Sequence, residues 1–402
     1  MKLTVRYRAD PEQPVIGRLL EDIRGRVFFQ FDPDWPARQL DLSPIYLPND
    51  TSGSVTTPTP EIGPLFGLFA DSLPDWWGEQ LMKRHFAQLG VDWNRVSPLE
   101  KLACQGAHAM GALGYEPDLS ALHYRDVLTA DVAELVESAR AVARGEAEDV
   151  VPALLRGGIT PGGAQPKVLL AFNGDFPEVV AGGGHVPPGF SAWLLKFQFD
   201  PEIPIGREEH AYTLMAEAAG IDVPETRLLP TPDGGFHFMS RRFDRGDGGP
   251  VHMHSYSGIT HTPVRNGLDY GDLMNLTRHL TNQAADVEQV FLRAVFNVAA
   301  GNNDDHGRNH SLMMDERGNW RISPAYDLTL TSNPLASGLR AASVNGRFAE
   351  IDRAELRKLG ESQGIRTVAG KIDRVLAAIQ RWPEFAERAG LTPVQSDLLE
   401  SQ

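Results

Sequence analysis

A long apolar helix runs directly into a dense polar string near residue 300. Apolar side chains recur at steps of three and four over residues 287–298, so they share one helix face, and Gly301 ends the pattern. The string GNNDDHGRNH, residues 301–310, follows at once. Because a buried helix does not usually end in so many polar side chains without a reason, we expect this string to be a functional loop.

The composition of the chain narrows its class. Its 402 residues suffice for two domains, or for one large domain with an appendage, and for a core without disulfides. The net charge of −15 repels phosphate backbones, so unaided tight binding to DNA or RNA is not expected. The single cysteine, Cys104, fits a reducing compartment. The start MKLTVRYRAD lacks the apolar run of a secretory signal, and no window is apolar enough for a membrane helix, so we expect a cytoplasmic protein without membrane contacts.

The order of local patterns predicts an α+β fold. Short apolar runs alternate with polar turns over residues 1–50, which indicates a small sheet. The middle of the chain mixes helical segments with strand-like runs such as KVLLAF and SAWLLKFQF. Beyond the RGDGGP break the pattern becomes mainly helical. We therefore expect an N-terminal subdomain at 1–115, an α/β part at 116–245 and a helical C-terminal lobe at 246–402.

Periodicity and punctuation also predict individual helices. One is expected to start near residues 72–74 and to end at Gly90, and another to span about 129–143. A later helix over 372–379 is expected to stop near Pro383.

Three residues of the polar string and its surroundings match phosphoryl-transfer chemistry. Asp304 and Asn309 have the D-x-x-x-x-N spacing of catalytic loops in which the aspartate accepts a proton from the attacking hydroxyl and the asparagine reaches Mg²⁺. SLMM, DERGN and WRI then predict strand, turn and strand, followed by Asp327. Such a hairpin would return a second carboxylate to the first loop as a metal ligand.

Upstream residues supply what a nucleotide site needs. Glycines at 157, 158, 162 and 163 precede Lys167, and glycines let backbone N–H groups approach phosphates closely. Lys196 ends the apolar run WLLK, where it would be an awkward core residue unless a carboxylate paired with it. Glu209, at the start of a predicted helix, is the candidate partner. The run Arg241–Phe243 follows a predicted strand and is expected to offer backbone to an adenine.

Other interpretations of these residues stay open. Each of these residues could instead have only a structural role, by capping a turn or a helix or by hydrogen-bonding the backbone of a loop. A metal-dependent hydrolase or nuclease would use Zn²⁺ or Mn²⁺, with ligands drawn from His252, His254, Asp304, Asp305, His306 and His310. A kinase-like scaffold that binds a partner without catalysis is the third alternative.

In combination, GGAQPK, WLLK, EEHAYTLMAEAAGIDVP, RRFDR, DDHGRN and AYDL resemble the HipA-type serine/threonine kinases, the toxins of two-gene toxin–antitoxin modules. The resemblance covers about 157–328, with weaker similarity before it. It implies a protein-kinase-like two-lobed fold, with an α/β N-terminal part and a mainly helical C-terminal part. It also implies ATP and Mg²⁺ as cofactors.

By position, the resemblance implies that Asp304 is the catalytic aspartate, Asn309 and Asp327 are magnesium ligands and Lys196 anchors phosphates. The other residues that it implies at the nucleotide are Gly162, Gly163, Ala164, Gln165, Lys167, Glu209, Arg241, Phe243, His306 and Tyr326. Thr160, seven residues before Lys167, stands near the position of a hydroxyl residue that family members can autophosphorylate, which silences the kinase.

The resemblance also implies partners. Family kinases phosphorylate cellular proteins, including aminoacyl-tRNA synthetases, and thereby arrest growth. They are neutralised by small DNA-binding antitoxins of the HipB type, so this acidic chain would reach DNA only through such a partner.

Overall fold

The computed structural model describes residues 1–59, 63–119, 129–147, 149–158, 165–174, 178–184, 186–231, 233–246, 248–331 and 339–400, with backbone only at 178 and 397–400. Within these ranges no helix combines the length and the apolar character needed to cross a bilayer.

The N-terminal part is built on a four-stranded antiparallel sheet in the order β3-β2-β1-β4. Its strands are β1 (Lys2–Tyr7), β2 (Val15–Glu21), β3 (Val27–Phe31) and, after three helices, β4 (Leu113–Glu116). The helices are α1 (Gly67–Ala70), α2 (Trp76–Gln88) and α3 (Pro98–Gln105). Helix α2 starts later than predicted because the side chain of Asp75 caps it by accepting a hydrogen bond from the Gly78 amide.

The middle part contains a six-stranded antiparallel sheet in the order β5-β7-β6-β8-β10-β9. Its elements are β5 (Thr129–Asp131), α4 (Val132–Arg144), α5 (Pro152–Gly158), β6 (Lys167–Phe172), β7 (Glu178–Ala181), β8 (Ser191–Lys196), α6 (Ile205–Ala218), β9 (Thr226–Pro230) and β10 (Phe236–Arg241). The predicted strands KVLLAF and SAWLLK are confirmed as neighbours, β6 and β8. Their side chains are mostly buried because helices cover this sheet.

The C-terminal part is mainly helical, as predicted. Its elements are β11 (Arg245–Gly246), β12 (Gly249–Pro250), β13 (His252–Ser255), α7 (Tyr256–Thr260), β14 (Leu268–Asp269), α8 (Tyr270–Thr281), α9 (Ala284–Ala299), β15 (Ser311–Met314), β16 (Trp320–Ile322), β17 (Ala342–Ser343), α10 (Arg353–Ser362), α11 (Val368–Ile379), α12 (Trp382–Arg388) and α13 (Pro393–Glu400). The apolar helix is α9, and β15 and β16 form the predicted hairpin. Pro383 does not stop α11, which already ends at Ile379; it lies in the first turn of α12, where a proline costs no hydrogen bond.

Two apolar cores organise these parts. One joins the N-terminal sheet to α8, α9 and the later helices, and the other joins the six-stranded sheet to α2, α4 and α5. The first 116 residues therefore contribute side chains to both cores. The α+β fold predicted from the sequence is confirmed, whereas the domain boundaries stay a prediction.

Two histidines of β13 and His261, the residue that follows α7, tie the C-terminal part to the N-terminal part. His252 Nε2 lies 2.9 Å from the Leu42 carbonyl oxygen. His254 Nδ1 lies 2.7 Å from Oδ2 of Asp71. The ring of His261 accepts a hydrogen bond from the Gly67 amide at 2.9 Å and stacks on Tyr46. Because each ring is buried, these hydrogen bonds replace water and fix how the two parts meet.

Acid should weaken this junction. Burial, together with the neighbouring His254, lowers the pKa of His252 to about 3, so the folded protein excludes a proton that the unfolded chain takes up near pH 6.5. The unfolding free energy should therefore fall by about 2 kcal/mol between pH 7 and pH 5 from this residue alone. Urea unfolding at both pH values would measure the loss.

His252→Gln, which retains a donor for the Leu42 carbonyl, should remove that part of the pH dependence. The matched control is His279→Gln, a substitution at an exposed position on α8. An unchanged pH dependence in His252→Gln would contradict the prediction.

Candidate active site

An open cleft lies between the six-stranded sheet and the C-terminal lobe, and its empty space, including the part continuous with solvent, is about 760 Å³. Eight residues predicted from the sequence line it: Lys167, Lys196, Glu209, Arg241, Phe243, Asn309, Tyr326 and Asp327. These residues come from β6, β8, α6, the end of β10 and two loops of the C-terminal lobe. The fold thus gathers side chains that are up to 160 positions apart in the sequence.

Two lysines stand side by side at one wall of the cleft. Lys167 on β6 is directly opposite Lys196 on β8 in the strand register. Like charges opposite each other destabilise a sheet, so each needs its own compensation. Lys167 Nζ lies 2.8 Å from Oδ2 of Asp75, and Lys196 Nζ lies 2.6 Å from Oε1 of Glu209 and also bonds Asp327. A polyphosphate entering the cleft would meet both cations.

The ion pairs around Lys196 determine which of its neighbours on this wall of the cleft are charged. Burial alone would lower the pKa of Lys196, but the charges of Asp327 and Glu209 raise it. Burial raises the pKa of Glu209 to about 7 despite the opposing effect of Lys196. Burial acts in the same direction on Asp327, but there the charge and hydrogen bond of Lys196 prevail and hold its pKa at about 2. Asp327 is therefore ionised at neutral pH, as a metal ligand must be.

Asp327 has an unusual backbone. Its φ of 58° lies in the left-handed region, which few residues other than glycine adopt and which aspartate tolerates better than most. Its carbonyl oxygen lies 3.4 Å from Nδ2 of Asn302 in the polar loop. Such strain persists only where surrounding contacts hold it, and it concentrates at functional sites. Here the contacts from Lys196 and Asn302 hold the carboxylate in the cleft.

Asn309 closes the polar loop on itself. Its Nδ2 donates to the Asp304 carbonyl at 2.9 Å, and its own amide donates to the His306 carbonyl at 2.8 Å. With Nδ2 engaged inside the loop, the oxygen Oδ1 is the atom of this side chain that remains available as an acceptor or a metal ligand. An amide oxygen and the ionised Asp327 are the oxygen donors that Mg²⁺ prefers, so these two residues fit the predicted ion.

Asp304 faces a different neighbour. Its Oδ1 lies 2.8 Å from Nη2 of Arg265, on the loop after α7, and both side chains are partly exposed. Burial raises the pKa of Asp304, the charges of His306 and Arg265 lower it, and the charge of Asp327 raises it again. Asp304 and Asp327 are thus close enough for the charge of Asp327 to affect the pKa of Asp304. Asp304, His306 and Gln165 are not among the residues that line the cleft.

Four of the predicted residues, Thr160, Gly162, Gly163 and Ala164, lie outside the described residues. The neighbouring Lys167 is described, and its carbonyl oxygen accepts a hydrogen bond from Trp77 Nε1 at 2.9 Å. Two residues at the start of α2, the N-cap Asp75 and Trp77, therefore contact Lys167 on the wall of the cleft.

Sequence reasoning missed two buried carboxylates, one beside this cleft and one lining it. Asp75 was not singled out from the sequence, and its contact with Lys167 depends on how distant elements meet. Asp244 accepts hydrogen bonds from Arg242 and Arg245 and from the Gly111 amide behind the strand end. The run RRFDR contains this network, but spacing along a sequence does not tell which charges are buried together.

Two of the four histidines considered as ligands for Zn²⁺ or Mn²⁺ are engaged elsewhere. His252 and His254 hold the N-terminal part, as described above. Over the described ranges, no three His, Cys, Asp or Glu side chains are grouped closely enough to hold a metal ion. The described part of the chain therefore gives the hydrolase interpretation no group of three such ligands.

Family comparison covers most of the chain. The model of the HipA N-terminal domain matches residues 11–116, and that of the HipA-like C-terminal domain matches residues 159–383. Two curated relatives carry provisional kinase names. One, from Sinorhizobium fredii, is 30% identical over 48% of this chain and 51% of its own length. The other, from Haemophilus influenzae, is 25% identical over 52% of this chain and 68% of its own length. The match thus spans about half of the first relative.

A solved structure shows the same fold. The HipA chain in a complex of Shewanella oneidensis HipA, HipB and operator DNA superposes with a TM-score of 0.71, over 99% of this chain and 94% of that chain, at 18% identity. The two-lobed α+β architecture implied by the resemblance is therefore confirmed. Since the family model of the C-terminal domain alone matches more than half of the chain, this protein belongs to the HipA family.

Proposed function

We propose that this chain is an ATP- and Mg²⁺-dependent serine/threonine protein kinase of the HipA type. The observation that carries the proposal is the contact of Lys196 with both Glu209 and Asp327 inside a cleft that Asn309 also lines. A lysine paired with a helix glutamate beside a metal-binding aspartate is the arrangement that kinases need before they transfer a phosphoryl group. Membership of the HipA family and the kinase names of the relatives support the same activity.

In this proposal the nucleotide lies along the cleft. The backbone of Arg241–Phe243, at the end of β10, meets the adenine, and the rings of Phe243 and Tyr326, with centroids 5.6 Å apart, form an apolar edge beside it. Lys167 and Lys196 bind the phosphates. His306, Gln165 and the glycine stretch 162–164 complete the nucleotide site. Their contacts with ATP are expected from the family resemblance.

Asn309 and Asp327 would hold Mg²⁺, which when bound neutralises phosphate charge and orients the terminal phosphoryl group. The chain's own part is then mostly positional. Lys196 keeps Asp327 ionised and in place, and Asp304 accepts the proton of the attacking serine or threonine hydroxyl. Arg265 beside Asp304 limits the rotamers open to that carboxylate.

We also propose partners by analogy with the family. The Shewanella oneidensis HipA structure contains HipB and operator DNA. A small DNA-binding antitoxin of the HipB type would neutralise this chain, and the net charge of −15 favours contact with DNA through that partner alone. The substrate would be a cytoplasmic protein whose phosphorylation arrests growth, with aminoacyl-tRNA synthetases as the first class to test.

Removal of either aspartate should abolish phosphotransfer. Asp304→Asn deletes the proton acceptor and Asp327→Asn a charged metal ligand, so each should lower the rate by about 1,000-fold or more. Transfer of radiolabel from γ-labelled ATP to protein in a cell extract would measure the rate, and circular dichroism would verify folding. The matched control is Asp373→Asn on α11, which alters an exposed ion pair with Arg353 on α10. Full activity in a folded Asp304 variant would refute the proposed function.

Thr160 should become phosphorylated when the purified protein is incubated with ATP. Thr160 precedes Lys167 by seven residues in the sequence, and the family resemblance implies a hydroxyl residue near this position that can be autophosphorylated. Phosphopeptide mapping should find this site in the wild type and not in Asp304→Asn. An unmodified Thr160 in a preparation that phosphorylates other proteins would argue against self-silencing at this residue.

Coexpression should recover the antitoxin. A tagged chain purified from cells that also produce the small DNA-binding protein encoded beside it should retain that protein through gel filtration. The complex should bind operator DNA, whereas the kinase alone should not, because its surface is acidic. Equal DNA binding by the isolated chain would contradict this assignment.

A further inference from the structure

A buried arginine lies directly beneath the candidate catalytic loop. Arg340 follows the second metal-ligand region in the sequence and its side chain is only 7% exposed. Its Nη2 donates to Oδ2 of Asp305 at 2.5 Å and to the Asn302 carbonyl at 3.1 Å. Its Nη1 donates to Oδ1 of Asn303 at 2.9 Å. The guanidinium of Arg340 therefore bonds Asn302, Asn303 and Asp305. It makes no hydrogen bond to Asp304, the candidate base, which lies between them in the sequence.

Asp305 is the anchor of this arrangement. Its carboxylate is fully buried and also accepts hydrogen bonds from the Tyr270 hydroxyl at 2.8 Å and the Ala342 amide at 3.2 Å. The Tyr270 hydroxyl in turn accepts from Nδ2 of Asn297, near the end of α9. Asp304 and Asp305 are adjacent in the chain, yet the carboxylate of Asp304 is partly exposed and pairs with Arg265, whereas that of Asp305 is buried inside the lobe.

The backbone around Arg340 strengthens the same connection. The Ala341 amide donates to the Asn303 carbonyl at 2.9 Å, and Nη1 of Arg340 reaches the Asn297 carbonyl at 3.2 Å. The end of α9, the loop and the chain at 340–342 thus form one hydrogen-bonded unit. Burying a charge is costly unless it is paired and hydrogen-bonded. Both Nη1 and Nη2 of Arg340 have such partners, whereas its Nε has none among the described residues.

We propose that Arg340 is a positioning residue for phosphoryl transfer, which acts through Asp305 to hold Asp304 at the distance and angle needed to accept the hydroxyl proton. The inference rests on the proposed kinase function. A planar guanidinium can bond several acceptors in fixed directions, whereas a lysine ammonium is a point charge on a flexible stem. Displacement of a reacting group by about 1 Å costs on the order of 100-fold in rate. Loss of the planar guanidinium of Arg340 should therefore lower the rate of phosphoryl transfer.

The test is Arg340→Lys in the full-length chain. It retains the buried charge opposite Asp305 but loses the multiple hydrogen bonds, so kcat should fall about 100-fold. KM for ATP should change less than about threefold, because the residues that line the nucleotide cleft do not include Arg340. Binding of a fluorescent ATP analogue should match the wild type, which a general loosening of the fold would not allow. Arg353→Lys, at an exposed pair on α10, should leave all three quantities unchanged.

Tyr270→Phe provides a milder variant in case Arg340→Lys does not fold. It deletes one hydrogen bond to Asp305 and should lower kcat by about threefold to tenfold, again with unchanged nucleotide binding. Wild-type kcat in folded Arg340→Lys, together with an inactive Asp304→Asn, would overturn the positioning role while the kinase function stands. Activity that survives Asp304→Asn would instead refute the function itself.

Discussion

The ammonium of Lys196 is shared by two carboxylates from different parts of the chain. Glu209 belongs to α6, which packs on the six-stranded sheet, whereas Asp327 belongs to the C-terminal lobe. Removing three charges from water costs several kcal/mol per ion, and only good geometry offsets that cost. The same contact therefore fixes the position of α6 against β8 and the closure of the lobes, and it determines which groups in the cleft carry charge. Because desolvating these charges is costly, the contact adds little to the stability of the fold. It instead favours one arrangement of the two lobes, since any other arrangement would leave a buried charge unpaired.

The N-terminal part is integrated into this architecture. Asp75, the N-cap residue of α2, pairs with Lys167 on the cleft wall. Residues between β3 and α2 hydrogen-bond the three histidines, two on β13 and one directly after α7. Both sets of contacts are buried and polar, so they depend on direction as well as on contact area. The wall of the cleft that carries Lys167 is consequently completed by residues of the N-terminal part of the chain.

Much of the fold could be predicted because local patterns and tertiary structure agree. The period of α9, the hairpin after the polar loop and the runs KVLLAF and SAWLLK each carry enough apolar repetition to identify the element. The pairing of Lys196 with Glu209 could be anticipated because an apolar run leaves a lysine no other acceptable environment. The capping role of Asp75 was not foreseen, so α2 was predicted to start too early. The contacts of Asp75, Asp305 and His252 could not be predicted at all, since they depend on how distant elements meet and no periodicity encodes that.

The register of β6 against β8 has a consequence for how this chain can vary. Successive side chains of a strand point to opposite faces, so a shift of one residue would turn Lys167 away from Lys196 and bury its charge against the opposite side of the sheet. Insertions or deletions of single residues within 167–172 or 191–196 would therefore disrupt the two-lysine wall. Related chains should align without gaps through both strands.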